Sequence, residues 1–376
     1  MNAKKQLLIY LILNRLFILS FGTLIHKSVR DYDLSSSNSI FLKWDSIYFI
    51  DIAKNGYTFE NELAFYPGFP ILIRIVKKLM MLDVSYEFCS ILINFVCYVD
   101  NCFILFDLTV AVGFSNDFAY RTSLFWCISP ISIFSFAPYS ESLFSLLSFF
   151  GMLMMTKKRY FLAFISFFLS GFVRSNGMIS AGFMFYEVLT FMIQFNNSFG
   201  DNIYTKFVKC ILRIKPKISF KMIILFSFGL LLVVPSILFY LYSNKLFCPG
   251  AEWCGHSHYG YVQNKYWGVG FLKYWRISQI PNILLAFPIC YFCFCFLKYM
   301  KNTKNTIIFP YLVHLSFLLC FSLLFAHVQV TTRLILSASP SSWWALALKN
   351  NKVSKIYCLL YLVIGTSLFV NFLPWT

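Results

Sequence analysis

Apolar residues in this chain run in long unbroken blocks, near 7–25, 88–112, 119–138, 141–156, 160–174, 178–195, 222–242, 279–299, 307–326, 334–348 and 356–372. Blocks of that length and polarity predict membrane-spanning helices. The chain therefore reads as an all-α polytopic membrane protein with about eleven transmembrane helices. Several blocks fall short of the roughly 20 residues that a straight crossing takes, which predicts tilted or broken helices buried against their neighbours. The first block looks like a secretory signal, but no small-residue cleavage site follows before His26 and Lys27, so it is expected to stay as an anchor. One stretch outside the blocks has its own pattern. From Trp44 to Ala53, the positions of Trp44, Tyr48, Phe49, Ile52 and Ala53 suit a short amphipathic helix lying on a membrane surface.

Charge placement orients the blocks. With the N-terminus inside, the inner connections hold Lys4 and Lys5, Arg121, Lys157 to Arg159, Lys206 through Lys221, Lys298 to Lys304, and Lys349 to Lys355, and all are basic. The outer face then receives Ile40 to Pro70, Pro138 to Ser142, Arg174 to Gly177, Phe247 to Ile277, His327 to Arg333 and the terminal Asn371 to Thr376. Every unusual polar and aromatic segment falls on one side. A transporter would spread polar groups through the membrane depth and would show a repeat, and neither pattern is visible. A noncatalytic subunit stays open as the other class, and it would tolerate loss of Asp45. The chain is expected to form one membrane domain over 1–376, with an amphipathic first outer loop at 26–87, a basic inner linker at 196–221 and a second outer loop at 243–278.

Composition agrees with this picture. Hydrophobic residues make up 59% of the 376 and charged residues 12%, about half the share usual in soluble domains. The net charge of +17 follows from the inner clusters; no basic face or recognition motif accompanies it, which argues against nucleic acid. No Gly-rich phosphate loop or nucleotide fingerprint occurs, so a nucleotide-sugar donor has no site. Most of the twelve cysteines lie inside apolar blocks. Cys248 and Cys254 share one outer loop and can pair there in an oxidising compartment. With His256 and His258 they match no standard zinc spacing, and no metal is expected.

The outer segments hold the candidate chemistry. Asp45 follows Trp44 and could meet a lipid-borne substrate; it could equally cap the helix that follows, since Asp is a favoured N-cap. Tyr139 and Glu141 stand at the mouth of one block, Arg174 and Asn176 at another, and His327, Gln329 and Arg333 at a third. Acid, cation and aromatic groups gathered on one face suit a site handling a phosphate and a sugar.

These residues carry a family resemblance. Trp44-Asp45 with Phe49, Ile52, Ala53, Gly56 and Tyr57, then Ala64 to Pro67 with Pro70, resembles the first loop of the PIG-V family, GPI mannosyltransferase II. The likeness continues in order through Ser129-Pro130, Tyr139 to Glu141, Val173 to Gly177, Tyr261 with Gln263, Tyr266-Trp267, Gln279 with Pro281-Asn282, His327 to Val330 with Thr332-Arg333, and Asn371 to Thr376. Gly260 and Tyr48 depart from residues common in the family, and neither removes a candidate catalytic group. The resemblance implies a GT-C enzyme of the endoplasmic reticulum membrane, multi-pass, with a lumenal active site and no cofactor. It would add the second mannose, in α1,6 linkage, to the GPI-anchor precursor by a single inverting displacement. Its partners would be dolichyl phosphate mannose as donor, the mannosylated GPI precursor as acceptor and membrane lipids, with room for a small membrane partner subunit. Asp45 would be the base. Arg333, Arg174 and His327 would hold the donor phosphate, and Trp44, Glu141, Tyr139, Asn176, Gln329, Gln263 and Trp267 would contact substrate.

Overall fold

A computed structural model describes residues 3–29, 39–81, 83–192, 219–303, 305–350, 352–373 and 375. Nearly all of the 196–221 linker, and Thr376, lie outside the described residues. Those described form sixteen α-helices joined by short 3-10 turns, with no strand among them. In chain order they are α1 (Ala3–Ser28), α2 (Asp45–Asn55), α3 (Gly68–Met80), α4 (Tyr86–Ala111), α5 (Asn116–Cys127), α6 (Glu141–Thr156), α7 (Tyr160–Val173) and α8 (Ala181–Met192). The second half comprises α9 (Phe220–Leu231), α10 (Val234–Phe247), α11 (His258–Trp267), α12 (Ile280–Met300), α13 (Phe309–Leu324), α14 (Thr331–Ala338), α15 (Pro340–Lys349) and α16 (Lys352–Val370). Six helical stretches among the described residues are long and apolar enough to cross a membrane: Ala3–Ser28, Tyr86–Ala111, Phe220–Phe247, Ile277–Met300, Thr306–Leu324 and Lys352–Val370. Glu141–Thr156 and Tyr160–Val173 are shorter apolar helices.

Two apolar blocks are broken helices, and the breaks position the site. The block at 119–138 is helical only to Cys127, because Ser129 and Pro130 follow; the chain then runs through buried turns to Tyr139. Buried irregular backbone needs partners for its carbonyls, and α1 and α4 supply them. Arg15 donates to the Ser132 carbonyl at 3.1 Å and to Ser135 Oγ at 2.8 Å, while its guanidinium lies 3.4 Å from the centre of the Tyr98 ring. Asn94 Nδ2 donates to the carbonyls of Ala137 and Tyr139 at 2.6 and 3.0 Å, and Asn101 Nδ2 to Ser142 O at 2.9 Å. Thus the start of α6, with Glu141 as its first residue, is anchored to α4. The block at 334–348 breaks at Ser339-Pro340 into α14 and α15, whose Trp343 and Trp344 are wholly buried. Their indole N–H groups donate to Leu336 O at 2.9 Å and Thr109 Oγ1 at 2.8 Å.

The loop after α1 contains two helices. The short helix anticipated at 44–53 is α2, with Phe49, Ile50, Ile52 and Ala53 buried. The second, α3, was not foreseen and packs on α2, α4 and α7. Arg74 of α3 donates to Ala53 O and Ile52 O at 2.9 and 3.1 Å, binding α3 to carbonyls at the C-terminal end of α2. The segment at 243–278 packs against this region. Cys248 and Cys254 form a disulfide, and Glu60 accepts from Trp253 Nε1 at 2.8 Å, Lys265 Nζ at 3.0 Å and the Tyr266 hydroxyl at 2.6 Å.

Candidate active site

Four charged side chains from four separate segments meet at one point. Arg333 Nη2 lies 3.1 Å from Asp45 Oδ2 and 2.8 Å from Glu141 Oε1, and its Nε is 3.0 Å from the same Glu141 oxygen. Arg174 Nη1 approaches Glu141 Oε1 at 2.8 Å. Two carboxylates and two guanidinium groups balance to zero formal charge, which allows the set to be buried together. Exposure divides their roles: Glu141 is 1% exposed, Arg333 12%, Arg174 22% and Asp45 29%. Glu141 is the floor, the two arginines rest on it, and Asp45 is the group most open to an incoming molecule.

Local structure explains each position. Asp45 is the first residue of α2; the cap position belongs to Trp44, which makes no side-chain capping bond. The Asp45 carboxylate is turned to Arg333, and its backbone N–H meets the Tyr139 hydroxyl. Buried Tyr139 in turn donates to Lys43 O at 3.3 Å, so one hydroxyl holds the entry to α2. Burial, then the nearby Asp45 charge, pushes the Tyr139 phenol well above its ordinary pKa, which keeps it protonated as a donor. Trp44 has φ of 57° and stacks at 4.7 Å on Phe372, whose φ is 59°. Left-handed backbone is strained for both residue types, and such strain concentrates at functional positions. Arg333 lies against two aromatic rings, with its guanidinium 4.4 Å from the Phe134 ring centre and 4.9 Å from Tyr139.

Arg174 ends α7, and the 3-10 turn Ser175–Ser180 folds back against that helix. Gly177 is what permits the fold-back. A Cβ there would lie 2.7 Å from the Gly171 nitrogen and from the Ser170 carbonyl carbon and oxygen, all backbone atoms. Gly177→Ala is therefore expected to lower stability by about 1–3 kcal/mol, as overpacking does, and to displace Arg174. Thermal unfolding of detergent-solubilised protein checks it; an unchanged midpoint would mean that the turn can back away freely.

Buried polar atoms without a protein partner among the described residues include Glu141 Oε2 of the cluster itself, and Trp44 Nε1 and Asn176 Nδ2 within two residues of its members along the chain. Two donors and an acceptor of this kind suit a ligand rich in oxygen.

The other candidates form a second wall. Trp267, at the end of α11, packs edge-on against Phe65 at 5.8 Å and Tyr48 at 6.3 Å. Gln263 bonds the Tyr259 hydroxyl, which also accepts from Ser175 Oγ at 2.9 Å, so α11 is tied to the Arg174 turn. His327 packs at a tilt against Tyr274 at 4.5 Å and donates to the Trp267 carbonyl; burial lowers its pKa, against the opposing effect of that bond. Among the described residues no bond joins His327 to the arginines or to Asp45. Gln329 has both side-chain ends engaged, accepting from the Tyr274 hydroxyl at 2.8 Å and donating to Trp375 O at 2.6 Å. It fastens the C-terminal segment, whose Phe372 stacks on Trp44. Sequence reasoning missed Phe134, Arg15 and the Glu141 contact with both arginines. An Arg in the middle of an apolar block was the one available signal, since such a residue is costly unless it has a fixed partner.

The chain resembles known proteins along nearly its full length. A family profile described as mannosyltransferase (PIG-V) matches residues 9–308 and 304–376. Drosophila pseudoobscura GPI mannosyltransferase 2 is 30% identical over 407 residues, covering 89% of this chain and 86% of the relative. The fission yeast GPI mannosyltransferase 2 is 30% identical, covering 89% and 73%. The human GPI alpha-1,6-mannosyltransferase 2 is 29% identical, covering 80% and 71%. Among solved structures, the Archaeoglobus fulgidus oligosaccharyltransferase superposes with a TM-score of 0.54 at 12% identity, over 98% of this chain. This chain spans 56% of that structure, and the likeness is one of fold.

Proposed function

The chain belongs to the PIG-V mannosyltransferase family, and we propose that it transfers the second mannose, α1,6-linked, from dolichyl phosphate mannose to a GPI-anchor precursor. The relatives' names support the acceptor and linkage. The cluster of Asp45, Arg333, Glu141 and Arg174 is the observation that carries the mechanism. Transfer from a β-linked donor to an α-linked product is a single inversion. It needs a base at the acceptor hydroxyl and positive charge at the departing phosphate. Asp45, the most exposed of the four, takes the proton as the acceptor oxygen bonds to the anomeric carbon. The bond from that carbon to the phosphate oxygen breaks, and the electron pair leaves with the phosphate. Arg333 and Arg174 present N–H groups to the phosphate oxygens while Glu141 holds both forks from beneath. A phosphate leaves without a general acid. Trp44 Nε1 and Asn176 Nδ2 reach sugar hydroxyls, Tyr139 fixes Asp45, Gln263 and Trp267 line the acceptor side, and His327, which bonds Trp267 and neither arginine, belongs there instead of at the donor phosphate. Gln329 shapes that side through the C-terminal segment.

The same reading places the chain in the endoplasmic reticulum membrane with about eleven crossings, the Asp45 cluster in the lumen and the 196–221 linker in the cytosol. Two measurements test it. Microsomes containing the protein should convert a one-mannose GPI precursor to the two-mannose product with dolichyl phosphate mannose, and linkage analysis should give α1,6. Glycosylation tags near Asp45 should be modified and tags near Lys215 should not; modification at Lys215 would turn the site to the wrong face.

A further inference from the structure

α4 carries a carboxylate where a membrane-spanning helix should not show one. Phe88, Val96 and Val110 form an exposed stripe along it, and Asp100 is exposed one turn past Val96, at the edge of that stripe. At 1.5 Å per residue Asp100 stands about 21 Å from the start of the helix at Tyr86 and about 10 Å further in than Asp107. The two acids differ in one respect. Asp107 has a counter-ion, Lys4 at 3.1 Å, and that pair marks the end of the helix beside the N-terminus. Among the described residues no hydrogen bond or ion pair reaches Asp100. The hydroxyl in the same groove, Ser166 Oγ, donates to Leu147 O at 2.6 Å instead. The neighbouring Asn101 is buried and bonded to Ser142 O. Asp100 and Asp107 both line one groove of about 390 Å³ between α4, α6 and α7, whose walls include Phe103 and Phe150.

An acidic residue inside an apolar span disfavours insertion when it faces lipid, and is met in practice with a partner group. We infer that this α4 face is a docking surface for a membrane-spanning helix of a partner protein that carries a Lys or Arg at the depth of Asp100. Charge complementarity selects that occupant. A second copy of this chain cannot supply the cation: within the six long apolar stretches of the described residues, Arg15 is the Lys or Arg more than two turns from an end. It is buried and held by Ser132 and Ser135. A lipid headgroup does not reach that depth.

The test uses the full chain reconstituted in phosphatidylcholine vesicles with a fluorescent Leu-rich membrane-spanning peptide bearing one Lys at midspan, and two matched peptides with Gln or Leu there. Energy transfer should show the Lys peptide bound at least tenfold more tightly than the Leu peptide, and that preference should vanish in Asp100→Asn. Equal binding of the three peptides to the unmodified chain overturns the inference, and this arm needs no variant to fold. In native membranes, a photo-crosslinker at Val96 should yield an adduct whose partner has a Lys or Arg within its membrane span. Asp100→Lys should abolish the adduct, and exchanging the partner's cation for Asp should restore it. An adduct with a second copy of the chain, or one indifferent to Asp100→Lys, overturns the inference as well.

Discussion

Replacing Asp45 by Asn should reduce mannose transfer about a hundredfold to ten-thousandfold, the usual range for loss of a general base, while the protein stays folded and inserted. The expectation follows from where the side chain goes. Asn and Asp serve almost equally as helix caps, and here the cap position is Trp44 while the Asp45 carboxylate faces Arg333. Asn keeps the size and can still offer an oxygen to Arg333, so the change removes basicity and one negative charge. The site would then carry a formal excess of one positive charge. That change should not weaken donor phosphate binding, so the loss should fall on turnover more than on donor affinity. Transfer in microsomes at matched protein abundance, with donor concentration varied, separates the two. Near-normal transfer would remove Asp45 from the chemistry even though the family assignment stands. A large rise in donor requirement at unchanged maximal rate would make it a positioning group instead.

How far the chain could be read in advance depends on what each residue answers to. Long apolar blocks such as 88–112 and 279–299 were legible because length and hydrophobicity alone decide a crossing, and they correspond to α4 and α12. In the block at 119–138, Pro130 marks where the helix stops, but the run of buried turns beyond it was not legible. Its apolar residues have the same composition whether helical or not, and what allows the break lies elsewhere, in Arg15 and Asn94. The Asp45 stretch was legible as an amphipathic helix because its periodicity is local. Its function as part of an ion cluster depends on Arg333, 288 residues away, and spacing along the chain has no power to show such a contact. Glu141 is the clearest case. As an acid at the mouth of an apolar block it reads as a sugar contact; in the structure its Oε1 is shared by Arg333 and Arg174, and it stands beneath them. What reasoning from the sequence lacked was depth within the site, which four segments fix jointly.

That depth gives Glu141→Gln the second large effect, and one of a different kind from Asp45→Asn. Removing one partner from a buried ionic set leaves the remaining charges without compensation and typically costs about 3–5 kcal/mol. With Gln at 141, two guanidinium groups face a neutral amide, and the single remaining acid, Asp45, contacts only Arg333. Both stability and transfer should therefore fall, transfer because neither arginine is held in the orientation that a phosphate needs. Arg333→Lys is the companion. It keeps the charge but has no Nε and Nη2 pair with which to grip Glu141 while reaching Asp45, so a partial loss of transfer with a smaller loss of stability is expected. Thermal unfolding in detergent together with microsomal transfer distinguishes the roles. If Glu141→Gln abolishes transfer yet unfolds at the unaltered temperature, Glu141 acts on the substrate and does not serve as the counter-charge on which the two arginines rest.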